Sequence, residues 1–129
     1  MKVFIADDSN SVIERLTDLL EEIPGAQLVG CAGNVSEAVR GVAKTNPDAL
    51  ILDLQMPGGS GLDVLRAVRA QHPYLQVVIC TNHPHKKYRE ECLNAGANFF
   101  LDKSSEFEKI LAILRRLVRD GVSHSRAAR

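Results

Sequence analysis

Short hydrophobic runs alternate along the chain with longer segments in which hydrophobic residues recur every three or four positions. The short runs are typical of buried strands, and the longer period is typical of helices that bury one face. This pairing of a run with a periodic segment occurs five times. The pattern therefore predicts an α/β protein in which five strands of a mostly parallel sheet alternate with five helices.

The bounds of these elements follow from the runs and from the turn residues between them. The predicted strands cover residues 2–6, 27–31, 49–52, 75–80 and 98–101. The predicted helices cover about residues 10–22, 35–45, 61–71, 85–95 and 106–119. The turn-rich segment MPGGSG predicts a loop before the third helix, which Ser60 caps with Asp63 three residues on. The fourth helix has a thin hydrophobic stripe, so we expect it to pack less firmly than the others.

Length and composition limit the classes of protein that need to be considered. The chain has 129 residues, of which 45% are hydrophobic, so we expect one domain over residues 1–121 and a frayed tail over residues 122–129. Lysine and arginine equal aspartate and glutamate at 16 each, so no overall basic charge attracts nucleic acid or anionic lipid. Because the hydrophobic runs are too short to span a membrane and no signal peptide is apparent, we expect a cytoplasmic protein.

The cysteines and histidines predict no metal or redox site. Cys31, Cys80 and Cys92 are odd in number and too far apart for a CxxC pair, so we expect reduced, buried thiols. His83 and His85 are close in sequence, but no third or fourth ligand has the spacing of a zinc site.

Polar residues that follow the predicted strands are the candidates for function. They are Asp7 and Asp8 after the first strand, Asp53 after the third, Thr81 after the fourth and Lys103 after the fifth. With the strand order 2-1-3-4-5 of a flavodoxin-like α/β/α sandwich, the first and third strands are neighbours at the point where the order reverses. We therefore expect three carboxylates, a hydroxyl and an ammonium group to meet at one edge of the sheet.

Carboxylates this close together need a cation. Two of them about 4 Å apart repel by roughly 4 kcal/mol at an effective dielectric constant of about 20. A hard divalent cation with oxygen ligands relieves the repulsion and leaves positions for phosphate oxygens, so the set favours Mg²⁺. One carboxylate could then act as a nucleophile toward a phosphoryl group while Lys103 neutralises charge. We assign that role to Asp53, because it is central and precedes a glycine-rich loop.

These segments resemble one family in order and spacing. The stretches ADDS, ILDLQMPGGSGLDVL and GANFFLDK, with Thr81 between the last two, are similar to the signature of the receiver domains of bacterial two-component response regulators. The resemblance implies that Asp53 accepts a phosphoryl group from the phosphohistidine of a sensor histidine kinase. It also implies that Asp8, Asp53 and the main-chain carbonyl of Gln55 ligate Mg²⁺, with Asp7 reaching the metal through water.

The resemblance further implies a conformational switch. Thr81 and Lys103 would contact the phosphoryl oxygens, and Phe100 would change rotamer with Thr81. This change would remodel the face made by the fourth helix, the fifth strand and the fifth helix. The remodelled face would act on a downstream protein or an output domain. Two copies of the domain could also dimerise through it. The domain would catalyse its own phosphorylation and dephosphorylation without being a multi-turnover enzyme. Ser104 stands where the family usually has a proline after a cis bond.

Three other functions compete with this interpretation. A Mg²⁺-dependent phosphohydrolase would need a second acid two residues after its nucleophile, where this chain has Gln55. A flavodoxin-like electron carrier would have to bind a cofactor phosphate beside Asp7 and Asp8, which repel it. A receiver-like interaction module that is never phosphorylated would have no use for a complete acidic set. No DNA-binding helix-turn-helix follows the fifth helix, so we expect a stand-alone receiver or one cut from a longer regulator, without direct contact to nucleic acid or membrane.

Overall fold

The hydrophobic runs form the strands of a central sheet, and the periodic segments form helices on both of its faces. A computed structural model describes residues 1–82 and 84–121, so the prediction for the tail over residues 122–129 and the one for His83 lie outside the described residues. The strands are β1 Lys2–Ala6, β2 Gln27–Ala32, β3 Ala49–Leu52, β4 Gln55–Met56, β5 Gly59–Ser60, β6 Gln76–Thr81 and β7 Phe99–Asp102. The helices are α1 Asn10–Glu21, α2 Val35–Thr45, α3 Gly61–Gln71, α4 Lys86–Asn94 and α5 Lys109–Arg119.

The main sheet has five parallel strands in the order β2-β1-β3-β6-β7. This is the predicted order, because β6 and β7 are the fourth and fifth of the predicted strands. Strand β1 pairs with β3 so that Ala6 lies opposite Leu52. Asp7 and Asp53 therefore leave two adjacent strands at the same level, at the point where the strand order reverses.

Strand residues alternate between two hydrophobic cores, one on each face of the sheet. In β1, Phe4 and Ala6 belong to the core under α2, α3 and α4, whereas Val3 and Ile5 belong to the core under α1 and α5. All of the central strand β3 is buried. Such burial on both faces explains why the strands read as continuous hydrophobic runs rather than as alternating ones.

The structure differs from the predicted elements by more than one residue in two places. The MPGGSG segment is predicted as a loop, but most of it belongs to the antiparallel ribbon of β4 and β5, which begins one residue earlier at Gln55. Helix α5 begins at Lys109 and not at Glu106, because the Glu106 side chain accepts a hydrogen bond from the main-chain N–H of Asp102 and belongs to a turn. The predicted capping box of Ser60 and Asp63 at the start of α3 is confirmed.

Helix α4 is the least firmly packed helix, as its thin hydrophobic stripe predicted. Cys92 is its one buried side chain among the residues described for this helix. His85 precedes the helix without a side-chain hydrogen bond to the first turn. The free energy that holds α4 against the sheet is therefore small compared with that of α5, which buries Ile110, Leu114 and Leu117.

The prediction of three buried thiols is wrong for Cys31. This residue is exposed because β2 is an edge strand, whereas Cys80 and Cys92 are buried. Burial raises the pKa of the Cys80 thiol to about 12 and that of the Cys92 thiol to about 11. Only a thiolate reacts readily with alkylating reagents. The two buried thiols are therefore protected both because the reagent cannot reach them and because they stay protonated.

We expect a small alkylating reagent at about pH 8 to modify one cysteine of the folded protein, Cys31, and all three in denaturant. Intact-mass and peptide mass spectrometry measure this outcome. A matched Cys31→Ser variant should remain unmodified until it is unfolded. Rapid modification of Cys80 in the folded protein would contradict the packing described for β6.

Two polar contacts hold the opposite edge of the sheet, and the sequence reasoning missed both. Asp48 is buried, and one of its carboxylate oxygens accepts a hydrogen bond of 2.7 Å from the N–H of Lys2. The Arg69 guanidinium donates to the carbonyls of His72, Pro73, Leu75 and Gly96 and to Oδ1 of Asn98. It therefore ties the loops before β6 and β7 together.

In the described part of the chain, no helix has the length and hydrophobicity to cross a membrane.

Candidate functional site

Main-chain hydrogen bonds fix the first residue beyond three of the strands. The N–H of Asp7 donates to a β2 carbonyl at 2.9 Å, and the N–H of Asp53 donates to a β1 carbonyl at 2.9 Å. The N–H of Lys103 donates to the carbonyl of Thr81 at 2.7 Å. The sheet ladder thus continues one residue past the strands, and these side chains start from a rigid backbone.

Three carboxylates meet at this edge of the sheet. Asp7, Asp8 and Asp53 each offer one oxygen, and these oxygens lie within 4.8 Å of one another. Asp7 is 3% exposed and Asp53 is 5% exposed, whereas Asp8 is exposed. The cluster therefore has two buried members and one member on the side of the solvent.

Lys103 is the cation within this cluster. Its Nζ lies 2.7 Å from Oδ2 of Asp7 and 3.3 Å from Oδ2 of Asp53, and its side chain is 9% exposed. Burial by itself lowers the pKa of the Lys103 ammonium, but its hydrogen bonds and attraction to the two carboxylates outweigh burial and raise the pKa. The ammonium therefore stays charged at neutral pH. One positive charge against three carboxylates leaves the cluster negative.

The second oxygen of each buried carboxylate is held by the loop that follows it. Oδ1 of Asp7 accepts the N–H of Ser9 at 2.9 Å, and Oδ1 of Asp53 accepts the N–H of Gln55 at 3.2 Å. Ser9 in turn caps α1 through its hydroxyl. For Asp53, burial raises the pKa, and the N–H of Gln55 and the charge of Lys103 only partly oppose that rise.

The glycine-rich loop brings α3 against the backbone of Asp53. A Cβ atom at Gly61 would overlap the main-chain carbonyl oxygen of Asp53, so only glycine lets the helix begin there. Gly58 has φ +87° at the turn of the β4–β5 ribbon, in a region that residues with a Cβ rarely adopt. These contacts fix the main chain on the far side of Asp53.

The two predicted switch residues are both buried. Thr81 ends β6, one strand along from β3, and is fully buried. Phe100 in β7 is 5% exposed and packs in the core under α4. The Arg89 side chain of α4 donates to the carbonyl of Phe100 at 3.3 Å, and its guanidinium carbon lies 5.9 Å from the centre of the ring. Phe100 therefore links β7 directly to the loosely packed helix.

The donor set of the cluster fits a hard divalent cation. Three carboxylate oxygens within 4.8 Å of one another, one of them on an exposed residue, are ligands of the kind that Mg²⁺ prefers. The residual negative charge favours any cation that enters. Among the described residues, Asp7, Asp8 and Asp53 form the one group with this arrangement.

Fold and site together define a doubly wound α/β domain with an acidic, metal-competent cluster at its carboxyl edge. The model of the response regulator receiver domain family matches residues 3–115. The chain therefore belongs to the receiver domain family of two-component response regulators. Domains of this family interact with histidine kinases and are in general not multi-turnover enzymes.

Two curated relatives and one solved structure illustrate the similarity. The chain is 34% identical over 103 residues to the DNA-binding transcriptional activator DevR/DosR of Mycobacterium tuberculosis, which covers 80% of this chain and 48% of that protein. It is 30% identical over 115 residues to the response regulator GacA of Pseudomonas syringae pv. syringae, covering 89% and 54%. The response regulator domain of Thermotoga maritima CheB superposes with a TM-score of 0.81 at 25% identity, covering 93% and 94% of the two chains. The chain thus spans about half the length of the two curated relatives.

Proposed function

We propose that Asp53 is the phosphoacceptor of this domain and takes a phosphoryl group from a phosphohistidine of a sensor histidine kinase or a phosphotransfer protein. One observation supports this most strongly. Asp53 is a buried carboxylate whose Oδ2 lies 3.3 Å from the Lys103 ammonium, beside two further carboxylates. The same lysine also binds Asp7 at 2.7 Å, so the two buried carboxylates share one cation.

The transfer is a substitution at phosphorus. A carboxylate oxygen of Asp53 forms the new P–O bond, the P–N bond of the phosphohistidine breaks, and its electron pair returns to the imidazole nitrogen. The product is an acyl phosphate, which water can later hydrolyse to regenerate Asp53. The Lys103 ammonium and the Thr81 hydroxyl stabilise the phosphoryl oxygens, whose negative charge must be neutralised for transfer.

The proposal includes a Mg²⁺ site made of Asp8, Asp53 and the main-chain carbonyl of Gln55, with Asp7 acting through a water molecule. The chemistry of the acidic cluster supports it, because its carboxylates outnumber the one lysine within it. Bound Mg²⁺ would supply positive charge to the phosphoryl oxygens. Ser9 and Lys103 orient Asp7, and Gln55 orients Asp53, so the donors are held in place by their own hydrogen bonds.

Phosphorylation would act through Thr81 and Phe100 on the face made by α4, β7 and α5. A phosphoryl group adds nearly two negative charges and forms charge-assisted hydrogen bonds worth about 1.5 to 3 kcal/mol each. Near-complete switching needs a bias of roughly 5.5 kcal/mol, which two or three such bonds supply if they form in one state. Helix α4 is the element whose position they would change, because it buries only Cys92. A kinase, and a downstream protein or output domain, are the proposed partners.

We expect a phosphoryl mimic such as beryllofluoride with Mg²⁺ to change amide hydrogen exchange in α4 more than in the firmly packed α5. Exchange measured by mass spectrometry, with and without the mimic, gives the comparison. Peptides from α2 serve as an internal reference, since α2 lies away from β7. Unchanged hydrogen-exchange protection along α4 would contradict the proposed conformational switch.

Intact-mass spectrometry tests the proposed phosphorylation. The protein is incubated with phosphoramidate, which transfers only phosphoryl groups, in the presence of Mg²⁺ or of EDTA. We expect a gain of one phosphoryl group with Mg²⁺ and a much slower gain with EDTA. A protein whose mass never changes, or changes equally fast without the metal, would contradict the proposal.

A further inference from the structure

The turn that follows β7 is closed by side chains and not by the backbone alone. Oδ1 of Asp102 accepts hydrogen bonds from the N–H of Ser104 at 2.9 Å and from its hydroxyl at 2.8 Å. The main-chain N–H of Asp102 donates to Oε1 of Glu106 at 3.0 Å, and the N–H of Glu106 donates to the Asp102 carbonyl at 2.8 Å. Four hydrogen bonds therefore join Asp102 to the residues just beyond Lys103.

Lys103 lies inside this closed turn. On one side its N–H is bound to the carbonyl of Thr81, and on the other side the turn holds the next residue, Ser104, against Asp102. The described part of the chain contains no cis peptide bond, so the turn at Ser104 is formed without one. A proline at this position would have no N–H and no hydroxyl to donate to Asp102.

The ammonium group of Lys103 depends on this backbone. A lysine side chain has four rotatable bonds and loses much of its rotamer freedom when it is held in one place. Its Nζ must nevertheless lie near both Asp7 and Asp53, which come from two other strands. A displacement of about 1 Å in a reacting group can cost about a hundredfold in rate. The orientation of the backbone at Lys103 therefore matters for the site.

We propose that Asp102 and Ser104 are positioning residues that aim the Lys103 ammonium at the phosphoacceptor site. The inference rests on the proposed function of Asp53. Hydrogen bonds from Ser104, and to a smaller extent from Ser105, hold the pKa of the Asp102 carboxyl below its usual value. The Asp102 carboxylate is therefore charged at neutral pH. The hydrogen bonds of Asp102 go to Ser104 and Glu106, so it acts on the site through Lys103.

The first measurement follows Lys103 itself. An amine-reactive acetylating reagent labels lysines at rates that mass spectrometry reads for each residue, with the exposed Lys86 as the reference in the same chain. We expect Asp102→Ala to raise the relative labelling rate of Lys103 by about fivefold or more, because the ammonium leaves its two carboxylates. Asp102→Asn keeps an acceptor oxygen and should stay within about twofold of wild type. Asp18→Ala, which removes an exposed aspartate of α1, should have no effect.

The second measurement is the phosphorylation rate with phosphoramidate and Mg²⁺. We expect Asp102→Ala to lower the phosphorylation rate about tenfold and Ser104→Ala to lower it less. Asp102→Asn should be phosphorylated at a rate close to that of wild type. Ser104→Ala removes one donor and keeps the N–H, so it tests the turn if Asp102→Ala does not fold. An unchanged Lys103 labelling rate in both variants would overturn the proposal, and so would raised labelling with an unchanged phosphorylation rate. If the wild-type protein takes no phosphoryl group, the function proposed for Asp53 fails, while labelling still decides whether Asp102 positions the lysine.

Discussion

Asp53→Asn should take up no phosphoryl group from phosphoramidate and Mg²⁺ under conditions that fully label the wild-type protein. The amide has nearly the shape of the carboxylate but lacks the anionic oxygen that would attack phosphorus. It can still accept the hydrogen bond that the N–H of Gln55 makes to Oδ1 of Asp53. Intact-mass spectrometry over time measures the result, and we expect a loss of at least about a hundredfold in rate.

The matched control for this substitution is Asp18→Asn. Asp18 is an exposed aspartate of α1, so the change in residue type and charge is the same but the acidic cluster is intact. We expect its labelling to follow the wild-type time course.

Asp53→Asn should also remain folded and be at least as stable as wild type without Mg²⁺, because one of three crowded negative charges has been removed. Phosphorylation of Asp53→Asn at the wild-type rate would place the acceptor elsewhere.

Lys103→Met should lower both the stability of the fold and the rate of phosphoryl transfer. The substitution keeps an unbranched side chain as far as Cε but removes Nζ, so Asp7 and Asp53, both buried, lose their cation. Removing one partner of a buried charge pair costs about 3 kcal/mol, and removing a charge that stabilises the transferring group costs about a hundredfold in rate. Chemical denaturation in EDTA measures the first effect, and phosphoramidate labelling measures the second.

Mg²⁺ distinguishes this explanation from a simple packing defect. A divalent cation at the acidic cluster would replace part of the lost positive charge, so Mg²⁺ should raise the stability of Lys103→Met more than that of wild type. Lys86→Met is the control, because Lys86 is 88% exposed in its pair with Glu90 and its loss should cost under about 1 kcal/mol. A loss of stability in Lys103→Met no larger than in this control would contradict the role given to the buried ion pairs.

The sequence predicted the sheet and the acidic cluster well because both depend on strongly patterned segments. Strands buried on both faces appear as unbroken hydrophobic runs, and parallel strands deliver the residues after them to one edge. Asp7, Asp8, Asp53 and Lys103 are therefore brought together as expected. The functions assigned to Thr81 and Phe100 stay predictions, because the structure gives their burial and not their movement.

The sequence does not predict hydrogen bonds between a side chain and the main chain when the two residues are far apart in sequence or lie in an irregular turn. Arg69 donates to carbonyls of loops up to 27 residues away, and no periodicity in the sequence marks such a partner. The later start of α5 depends on Glu106 binding the N–H of Asp102 rather than opening the helix. Asp48 offered a signal, since an aspartate directly before a buried strand must find a donor, which is the N–H of Lys2. The burial predicted for Cys31 follows the usual behaviour of free cysteines, although the predicted strand order already places its strand at the edge of the sheet.

Phosphoryl transfer to Asp53 predicts a bond between one of its carboxylate oxygens and phosphorus. Borohydride reduces an aspartyl phosphate to homoserine with release of phosphate, and peptide mass spectrometry then identifies the residue that carried the group. Treated after labelling with phosphoramidate and Mg²⁺, the wild-type protein should contain homoserine at position 53 and nowhere else. Homoserine at position 7 or 8, or a phosphoryl group that survives reduction on another side chain while Asp53 is unchanged, would contradict the account.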